Sequence, residues 1–256
     1  MKEEVEILTL DADNIERLGF FCYKSQPKTQ GYKKKLAWLR QRFWEGMRVK
    51  ILYENGRSKA FIEYLPGEYA WRTVNAKNYL FIHCIWVVGK AKGKGYGSRL
   101  LNACIHDARA EGFDGVAMLT SSGNWLAGSG LLLKHGFEVV AQAPPSFELL
   151  TLGFRQADPP ALPNDWDDRL QKYGSDLTVI YTDQCPYIDR LIEAVYNAGH
   201  KLGIDVRAIE FQDCEQVQRN APSAYGVYSV IYRGELMSYH PIGGKDLVKR
   251  LEARIL

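Results

Sequence analysis

The sequence predicts an α/β protein. Its first part is expected to form a mixed sheet with helices, of the α+β kind, and a smaller domain of βαββα order follows. Three observations carry this prediction. A strongly apolar segment at 79–88 leads through a glycine-rich turn into a helical pattern and a second apolar segment, the order of a parallel strand–helix–strand unit. Earlier in the chain, alternating segments around Glu-Asn-Gly-Arg indicate an antiparallel hairpin. After a proline-rich stretch, strand and helix patterns begin again.

Length and charge favour two domains. About 100–200 residues per domain is usual, and the chain has 256 residues. Lys and Arg number 22 against 15 Asp and Glu through Arg155, or +7, and 11 against 15 beyond it, or −4. We therefore predict a first domain at 1–155, a Pro-rich linker at 156–175 and a second domain at 176–256. The basic first part favours an anionic cofactor or substrate, and composition alone leaves nucleic acid open.

The composition is that of a soluble globular protein. Hydrophobic residues make up 46% and charged residues 25% of the chain. No apolar run reaches the roughly 18 residues needed to span a bilayer. The acidic start does not resemble a signal peptide, so we expect a cytoplasmic location and no membrane partner. The five cysteines include no C-x-x-C pair, and neither a disulfide framework nor a metal site is predicted.

Alternation and turn residues predict the first part of the sheet. Residues 5–10 alternate apolar and polar side chains and form an opening strand, and the Asp-Ala-Asp-Asn run after it caps a helix from about Ile15. Residues 31–46 have apolar side chains three and four apart and predict a second helix. Strands at 49–53 and 60–64 flank the hairpin turn.

The turn after the segment at 79–88 has the composition of an anion-binding site. Gly93, Gly95 and Gly97 allow backbone conformations that a side chain would forbid, and lysines alternate with them. A helix is predicted from Ser98, and the unpaired N–H groups at a helix start carry a partial positive charge. We therefore expect the turn to hold a phosphate or a pyrophosphate.

The segments after the turn complete the sheet. The helix is predicted to end at Gly112, and residues 115–120 form the next strand, parallel to the one at 79–88. The remaining elements of this part are a helix at 125–135 and strands at 137–143 and 147–154.

The order of these segments resembles the GNAT superfamily of acetyl-coenzyme A-dependent N-acetyltransferases. That family has a strand, Arg/Gln-x-x-Gly-x-Gly/Ala opening a helix, a further strand, and a helix that begins with Asn and ends in Gly-Phe. Here the order is Ile85-Trp86-Val87, Lys92-Gly93-Lys94-Gly95-Tyr96-Gly97, a strand at 116–120, Asn124, and Lys134-His135-Gly136-Phe137. The resemblance covers about residues 1–155 and implies the GNAT acyl-CoA transferase fold. The glycines alone would be weak evidence, and the Gly-Lys-Ser/Thr end of a nucleotide P-loop is absent.

The resemblance implies acetyl-CoA as a co-substrate, held between the strand that ends at Val88 and the next parallel strand. Main-chain groups of Val87 and Val88 would pair with the pantetheine arm, and the turn amides would hold the pyrophosphate. Lys92 stands where the family usually has Arg or Gln, so the charge is kept and the bidentate fork is lost. The predicted cofactor-binding residues are Val87, Val88, Lys92, Gly93, Lys94, Gly95, Tyr96, Gly97, Ser98 and Asn124. No metal is expected.

His83 is the predicted catalytic base. It occupies a strand position where relatives often have Glu, and an imidazole can accept the amine proton directly or through water. A histidine on an apolar strand can equally be a core residue, and this alternative stays open. Leu132 stands where many relatives have a Tyr that protonates the leaving thiolate. The acid then comes from Ser121, Ser122, Ser129, another tyrosine or water, or direct thiolate release suffices.

The last part of the chain has its own order. Strands at 177–182 and 206–211, a hairpin at 227–239 and helices at 186–200 and 246–255 resemble a thioredoxin-like fold. Beside an acetyltransferase domain they resemble a YoaP-like C-terminal region. Cys185 lies where such folds keep a redox motif at a helix start, and it is the predicted reactive thiol. Ile188 replaces the second cysteine, so the alternatives are a monothiol role, with glutathione or Cys214, and a non-redox accessory role.

The predicted function is therefore acetyl-CoA-dependent transfer of an acetyl group to a small-molecule amine or a peptide by direct attack on the thioester. The alternative is a non-catalytic acyl-CoA-binding protein or a monothiol redox-linked protein, which Leu132 and the single-cysteine motif favour. No nucleic-acid partner is expected, because the net charge is small and aromatic residues do not cluster into a platform. A homodimer is an open alternative for assembly.

Overall fold

The computed structural model describes residues 4–123 and 125–255, which divide into two compact units. Asn124 lies outside the described residues, and its predicted role in cofactor binding stays a prediction. No helix within the described ranges is long and apolar enough to cross a membrane. The predicted domain limits also stay predictions. Unit 1 comprises Met1–Pro27, Leu36–Ala70 and Val74–Leu162, and unit 2 comprises Lys28–Lys35, Trp71–Thr73 and Pro163–Leu256.

Unit 1 is built on a seven-stranded mixed sheet, which confirms the predicted fold class. Its strands are β1 (Val5–Leu10), β2 (Arg48–Glu54), β3 (Arg57–Pro66), β4 (Tyr79–Val87), β5 (Gly115–Ser121), β6 (Glu138–Ala143) and β7 (Phe147–Gly153). They lie in the order β1-β2-β3-β4-β5-β7-β6. The β4–β5 pair is parallel, as predicted, and the β2–β3 pair is the predicted hairpin.

Helix α3 covers one face of this sheet. The apolar side of α3 forms one buried cluster with β4, in which Leu100, Leu101 and Cys104 lie with Leu80 and Ile82. This three-and-four spacing on the helix and alternate spacing on the strand explain why both elements form against each other. The helices of this half of the chain are α1 (Ile15–Leu18), α2 (Gln30–Phe43), α3 (Tyr96–Ala110) and α4 (Gly130–Lys134).

Several helix limits differ from the predicted ones. The helix expected over 125–135 begins only at Gly130, because Trp125 has a φ of 74°, a left-handed conformation that cannot continue a helix. α2 ends at Phe43 instead of residue 46, since Gly46 has a φ of 86° and donates its N–H to the Phe43 carbonyl at 3.1 Å. α3 begins at Tyr96, two residues earlier than predicted.

Unit 2 is built on a four-stranded sheet with helices on it. Its elements are α5 (Trp166–Gln171), β8 (Leu177–Tyr181), α6 (Ile188–Leu202), β9 (Val206–Glu210), α7 (Cys214–Asn220), β10 (Tyr228–Tyr232), β11 (Glu235–Ser238) and α8 (Gly244–Ile255). The strand order is β11-β10-β8-β9, with β8 and β9 parallel. The sequence patterns did not predict α7, and they placed a linker where α5 forms. The thioredoxin-like character of this unit stays a prediction.

Two short segments from the first half of the chain pack into unit 2. Gly31 lies so close to the Pro186 carbonyl that an added Cβ would overlap with it. The buried Arg72 guanidinium donates to the Gln184 side chain and, at 2.7 Å, to the Trp71 carbonyl. Because the contacts of Gly31 with Pro186 and of Arg72 with Gln184 join residues far apart in the chain, they have no periodic signal in the sequence.

Candidate active site

The parallel strands β4 and β5 separate towards their carboxyl ends. Their pairing runs from Tyr79 opposite Gly115 to Ile82 opposite Met118. Beyond this point β4 stays bonded to β3, and β5 stays bonded to β7. The two strands therefore leave an opening in the sheet, and a strand edge inside it can pair with an extended ligand that carries amide groups.

Val87 is the strand residue whose main-chain groups turn towards this opening. Val88 donates its N–H to the Lys59 carbonyl at 2.9 Å and accepts the Ala91 N–H at 2.8 Å, so both its main-chain groups are already bonded. Successive residues of a strand alternate between its two sides, and the polar main-chain groups of Val87 therefore point away from β3. Of the two predicted pantetheine contacts, Val87 is the one with this orientation.

The glycine turn follows directly and leads into α3. Gly93 has a φ of 85° and Gly95 a φ of 79°, which favour glycine because L side chains rarely adopt them. The first helical N–H that reaches a carbonyl four residues back is that of Arg99, bonded to Gly95 at 3.1 Å. The three amides before it, Tyr96 to Ser98, lie at the positive end of the helix dipole.

The space beside this turn is open. A Cβ added at Gly93 or Gly95 would meet no atom of the described residues within 4 Å, and both glycines are exposed. Gly97 is different, because its Cβ would lie 3.2 Å from the Leu131 side chain. The Ser98 hydroxyl is hydrogen-bonded to the His135 ring at 3.0 Å. The open side of the turn can accept a bulky anion, and the closed side packs on α4.

Glu54, at the end of β2, fixes the turn from one side and was missed by the sequence analysis. It accepts hydrogen bonds from the Lys94 ammonium at 2.6 Å and from the Tyr96 hydroxyl. Lys59 lies 3.5 Å away. The bonds from Lys94 and Tyr96 lower the pKa of Glu54 to about 2. Lys94 and Tyr96 thus offer the turn their backbone amides, whereas their side chains hold Glu54.

Lys92 lies against an exposed aromatic ring. Its ammonium is 5.2 Å from the centre of the Trp86 ring, and 49% of Trp86 is exposed. A cation over an indole face is held by the ring quadrupole while it remains near water. Lys92 therefore supplies a positive charge next to the turn, as its predicted role requires.

His83 lies at a β-bulge where the opening begins. Along the β3–β4 pair, Glu63 is opposite Cys84 and Tyr64 is opposite Ile82, so His83 is the extra residue between two pairs. Ile82 is also the last β4 residue that pairs with β5. A bulge changes the direction in which side chains point, and bulges are common beside active sites. The predicted base therefore follows the residue at which β4 and β5 separate.

The His83 imidazole lies on the face of the sheet opposite α3. It is 1% exposed, and its ring centre lies 6.2 Å from that of Trp38 and 6.0 Å from that of Phe81. Both possibilities raised by the sequence, a base and a core residue, are compatible with this burial. Glu63, only 4% exposed, is a second buried ionisable residue at the same bulge. An acid inside the apolar run Phe-Ile-Glu-Tyr-Leu is a signal that could have identified it.

Leu132 lies in the buried core and has no group that exchanges a proton. It is 1% exposed and belongs to the cluster between α3 and the sheet. Ser121 is buried and hydrogen-bonded to the Ser146 hydroxyl at 2.9 Å. Ser122 is exposed and Ser129 partly exposed, and either serine stays a predicted alternative for the acid. Among the described residues, no three His, Cys, Asp or Glu side chains are placed to hold a metal.

Cys185 lies in unit 2, far along the chain from this site. It is partly exposed in the turn before α6, where the Ile188 N–H bonds to its carbonyl at 3.2 Å. The pKa of Asp183, in the same turn, is raised to about 6. The main cause is burial, and the negative charge of Glu210, which is hydrogen-bonded to Asp183, adds to it. Lys34 forms an ion pair with Asp189 at 3.0 Å. All five cysteines are free thiols.

A mixed sheet opened at a parallel pair, with a glycine turn at the start of the next helix, is an α/β arrangement able to hold an extended anionic cofactor. The family model described as Acetyltransferase (GNAT) family matches residues 13–137. The "Uncharacterized N-acetyltransferase YoaP" of Bacillus subtilis is 32% identical over 237 residues, which cover 91% of this chain and 92% of that protein. The chain therefore belongs to the GNAT acetyltransferase family, and the predicted resemblance is confirmed.

Other relatives match over shorter stretches or at lower identity. The L-methionine sulfoximine/L-methionine sulfone acetyltransferase of Pseudomonas aeruginosa is 36% identical over 74 residues, which cover 29% of this chain and 42% of that protein. The structure of yncA from Salmonella typhimurium, with its cofactor acetyl-CoA, is similar with a TM-score of 0.44, 21% identity, and coverage of 60% and 97% of the two chains. PaiA N-acetyltransferase from Thermoplasma acidophilum, in complex with coenzyme A, also has a TM-score of 0.44, with 16% identity and coverage of 59% and 99%.

Proposed function

We propose that this protein transfers the acetyl group of acetyl-CoA to an amine acceptor by direct attack of the amine on the thioester. The observation that supports this most strongly is the opening between β4 and β5 that leads to the turn at Gly93 and Gly95. The strand edge of β4 in this opening and the glycine turn follow each other directly along the chain. An extended amide-containing arm that ends in a pyrophosphate needs this combination of a strand edge and a helix start.

The backbone would carry most of the cofactor binding. Main-chain groups of Val87 would pair with the pantetheine arm, with Val88 beside it, and the amides from Gly93 to Ser98 would surround the pyrophosphate. Lys92 would add charge without a bidentate fork. This assignment fits the open space beside Gly93 and Gly95, where no described atom lies within 4 Å of an added Cβ. Asn124 keeps its predicted contact to the cofactor.

His83 would accept the proton of the acceptor amine. Acetyl-CoA supplies the reactive thioester when bound. This assignment is supported by the position of His83 at the bulge, one residue beyond the last β4–β5 pair. Leu132 cannot protonate the leaving thiolate. Because an ordinary thiol has a pKa of roughly 8–9, the thiolate can leave without an acid from α4.

The acceptor is proposed to be a small-molecule amine or a peptide amine. Methionine sulfone and methionine sulfoximine belong in the first panel of acceptors, because the Pseudomonas relative is named for acetylating them. Simple amines, other amino acids, aminoglycosides and peptides complete the panel. The division into a transferase domain at 1–155 and an accessory domain at 176–256, a cytoplasmic location and a homodimer remain proposals that this panel does not address.

Two measurements test the function. Titration calorimetry with acetyl-CoA and with desulfo-CoA should give saturable binding with one site per chain, since both ligands carry the pyrophosphate and the pantetheine arm. Release of free thiol from acetyl-CoA should then depend on one of the amines in the panel. Absence of saturable binding to either ligand would refute the proposed function.

A second candidate function is acyl-CoA binding without transfer. The buried Leu132 favours it, because the helix that supplies an acid in many relatives supplies none here. Saturable binding without amine-dependent thiol release across the whole panel would favour this candidate. A monothiol redox role for Cys185 predicts instead that its thiolate attacks oxidised glutathione, forms a mixed disulfide and releases one reduced glutathione, which mass spectrometry of the intact protein would detect.

A further inference from the structure

We infer that Glu63 is a positioning residue for His83, and that the carboxylate on β3 and the imidazole on β4 act as a pair. The inference rests on the proposed function insofar as His83 is the base of that reaction. It concerns a residue that neither the family resemblance nor the sequence motifs single out.

The strand register brings the two residues together. Glu63 lies directly opposite Cys84, and His83 is the bulged residue next to Cys84. Residues directly opposite each other in an antiparallel pair have Cα atoms about 4.5–5.5 Å apart, and diagonal neighbours are about 7–8 Å apart. A glutamate carboxylate and a histidine ring on such neighbouring positions are long enough to reach each other when they share a face.

Both side chains lie on the same face of the sheet. On β3, Ile62 and Tyr64 belong to the cluster that packs on α3, so the alternate residue Glu63 points to the opposite face. On β4, Ile82 and Ile85 belong to that cluster, whereas the His83 ring packs near Trp38 of α2. In a regular strand His83 and Cys84 would point to opposite faces, whereas the bulge allows His83 to share the face of Cys84 and of Glu63 opposite it.

The burial of Glu63 costs desolvation free energy, which argues for a role beyond packing. Its exposed fraction is 4% and that of His83 is 1%, within stretches of the two strands, 60–65 and 79–87, that otherwise contain no Asp, Glu, Lys, Arg or His. A buried carboxylate is stable when a cation or a hydrogen-bond donor compensates its desolvation. A neighbouring imidazole provides a donor in its neutral form and a positive charge in its protonated form.

The pair would serve the reaction in two ways. Glu63 would accept the N–H of one ring nitrogen, which fixes the tautomer and leaves the other nitrogen as the acceptor for the amine proton. After the proton transfer, the negative charge of Glu63 would balance the imidazolium. The amine then forms the C–N bond and the C–S bond breaks, with the electron pair leaving on sulfur, and Glu63 itself touches no reacting atom.

A charged group of α2 lies beside Trp38, the ring that packs near His83. Arg42 lies over the ring of Trp38, with its guanidinium carbon 5.6 Å from the ring centre, and pairs with Glu45 at 2.9 Å. The Arg42 guanidinium is thus already balanced by Glu45, and Glu63 is the carboxylate that the strand register brings next to His83.

The test compares Glu63→Gln with His83→Gln and with the matched control Glu148→Gln, a strand carboxylate of the same sheet on β7. The first readout is the titration midpoint of the His83 imidazole by NMR in the full chain, assigned with His83→Gln. We expect Glu63→Gln to lower this midpoint by about one pH unit, the usual effect of losing an adjacent opposite charge. The control should leave it unchanged. Should Glu63→Gln fail to fold, Glu63→Asp keeps the charge at a shorter reach and should give a smaller shift in the same direction.

The second readout is the pH profile of kcat/KM with an accepted amine. Glu63→Gln should lower the rate about 10–100-fold, as losses of orienting partners do, and move the acid limb to lower pH, while the Kd for acetyl-CoA stays within about twofold. A double variant that carries both Glu63→Gln and His83→Gln should be no slower than His83→Gln alone. A His83 midpoint that does not move, or losses that multiply in the double variant, would overturn the inference. A shifted midpoint with a normal rate in His83→Gln would instead retain the pair and remove the base from the proposed function.

Discussion

Gly95 provides the sharpest test of the anion-binding turn, because Gly112 at the other end of α3 is a matched control. Gly95 has a φ of 79° and Gly112 a φ of 77°, and a Cβ at either position would meet no described atom within 4 Å. Both glycines are exposed. The substitutions Gly95→Trp and Gly112→Trp therefore impose the same backbone strain, and only the first adds a side chain beside the turn.

The expected magnitudes separate folding from binding. A left-handed conformation costs an L-residue about 1–2 kcal/mol, so each variant should lose about 2–8 °C in Tm. In Gly95→Trp the indole would exclude a phosphate from the turn. A hydrogen bond to a charged group contributes about 1.5–3 kcal/mol, and the loss of even one such bond weakens binding roughly tenfold to a hundredfold.

Thermal unfolding and calorimetry with desulfo-CoA measure the two effects on the same samples. We expect similar losses in Tm for both variants, a Kd raised at least about tenfold for Gly95→Trp, and an unchanged Kd for Gly112→Trp. If Gly95→Trp bound desulfo-CoA as tightly as the unaltered protein, the turn would not be the pyrophosphate site. Equal weakening in both variants would show that helix strain, and not occupancy of the turn, limits binding.

Three further predictions address other residues. Glu54→Gln should raise the Kd for desulfo-CoA about threefold to tenfold at every pH from 5 to 9, because the carboxylate, with a pKa of about 2, is ionised throughout and fixes the turn; a weakening that appears only at low pH would contradict this. The pKa of Asp183 is raised to about 6. The stabilisation from its bound proton is therefore complete below the ordinary pKa near 4 and is lost as the pH rises through 6. Asp183→Asn should reduce the fall in Tm between pH 5 and 7.5, and an unchanged fall would refute the assignment. Iodoacetamide should label Cys185 ahead of the other cysteines and well ahead of Cys104, whose burial raises its thiol pKa; mass spectrometry measures the order, and labelling no faster than the other partly exposed thiols would make Cys185 a structural residue.

The sequence predicted the parts of the site that depend on local backbone chemistry. The strand before the turn, the helix after it and the parallel strand beyond are each determined by the spacing of apolar residues over a few turns or a few strand residues. Gly93 and Gly95 are recognisable because few other residues adopt their conformations. Even here the predicted start of α3 was two residues late, because the helix begins at Tyr96, whose side chain already lies in the buried cluster with Leu100 and Cys104.

The parts that depend on long-range register could not be predicted in the same way. The bulge at His83 exists only in the pairing of β3 with β4, and an apolar run is compatible with several registers. The bond between Glu54 and Lys94 joins residues 40 positions apart, and no periodicity connects them. Trp125 shows the reverse problem, because its residue type gives no indication of a positive φ, and the helix predicted there begins five residues later.

In the proposed function, cofactor binding and proton transfer use separate parts of the site, so a leucine at position 132 would not by itself remove the reaction. The turn presents backbone amides, and the Lys94 and Tyr96 side chains bond it to Glu54. Its structure therefore does not depend on the side chain at position 132. The proposed base lies on β4, on the face opposite the helix cluster that contains Leu132. An acid on α4 would act only on the departing thiolate, which is a fair leaving group without it. Substitutions at the turn should therefore change the Kd for the cofactor with little effect on the pH profile. Substitutions at His83 or Glu63 should change kcat and its pH dependence with little effect on that Kd.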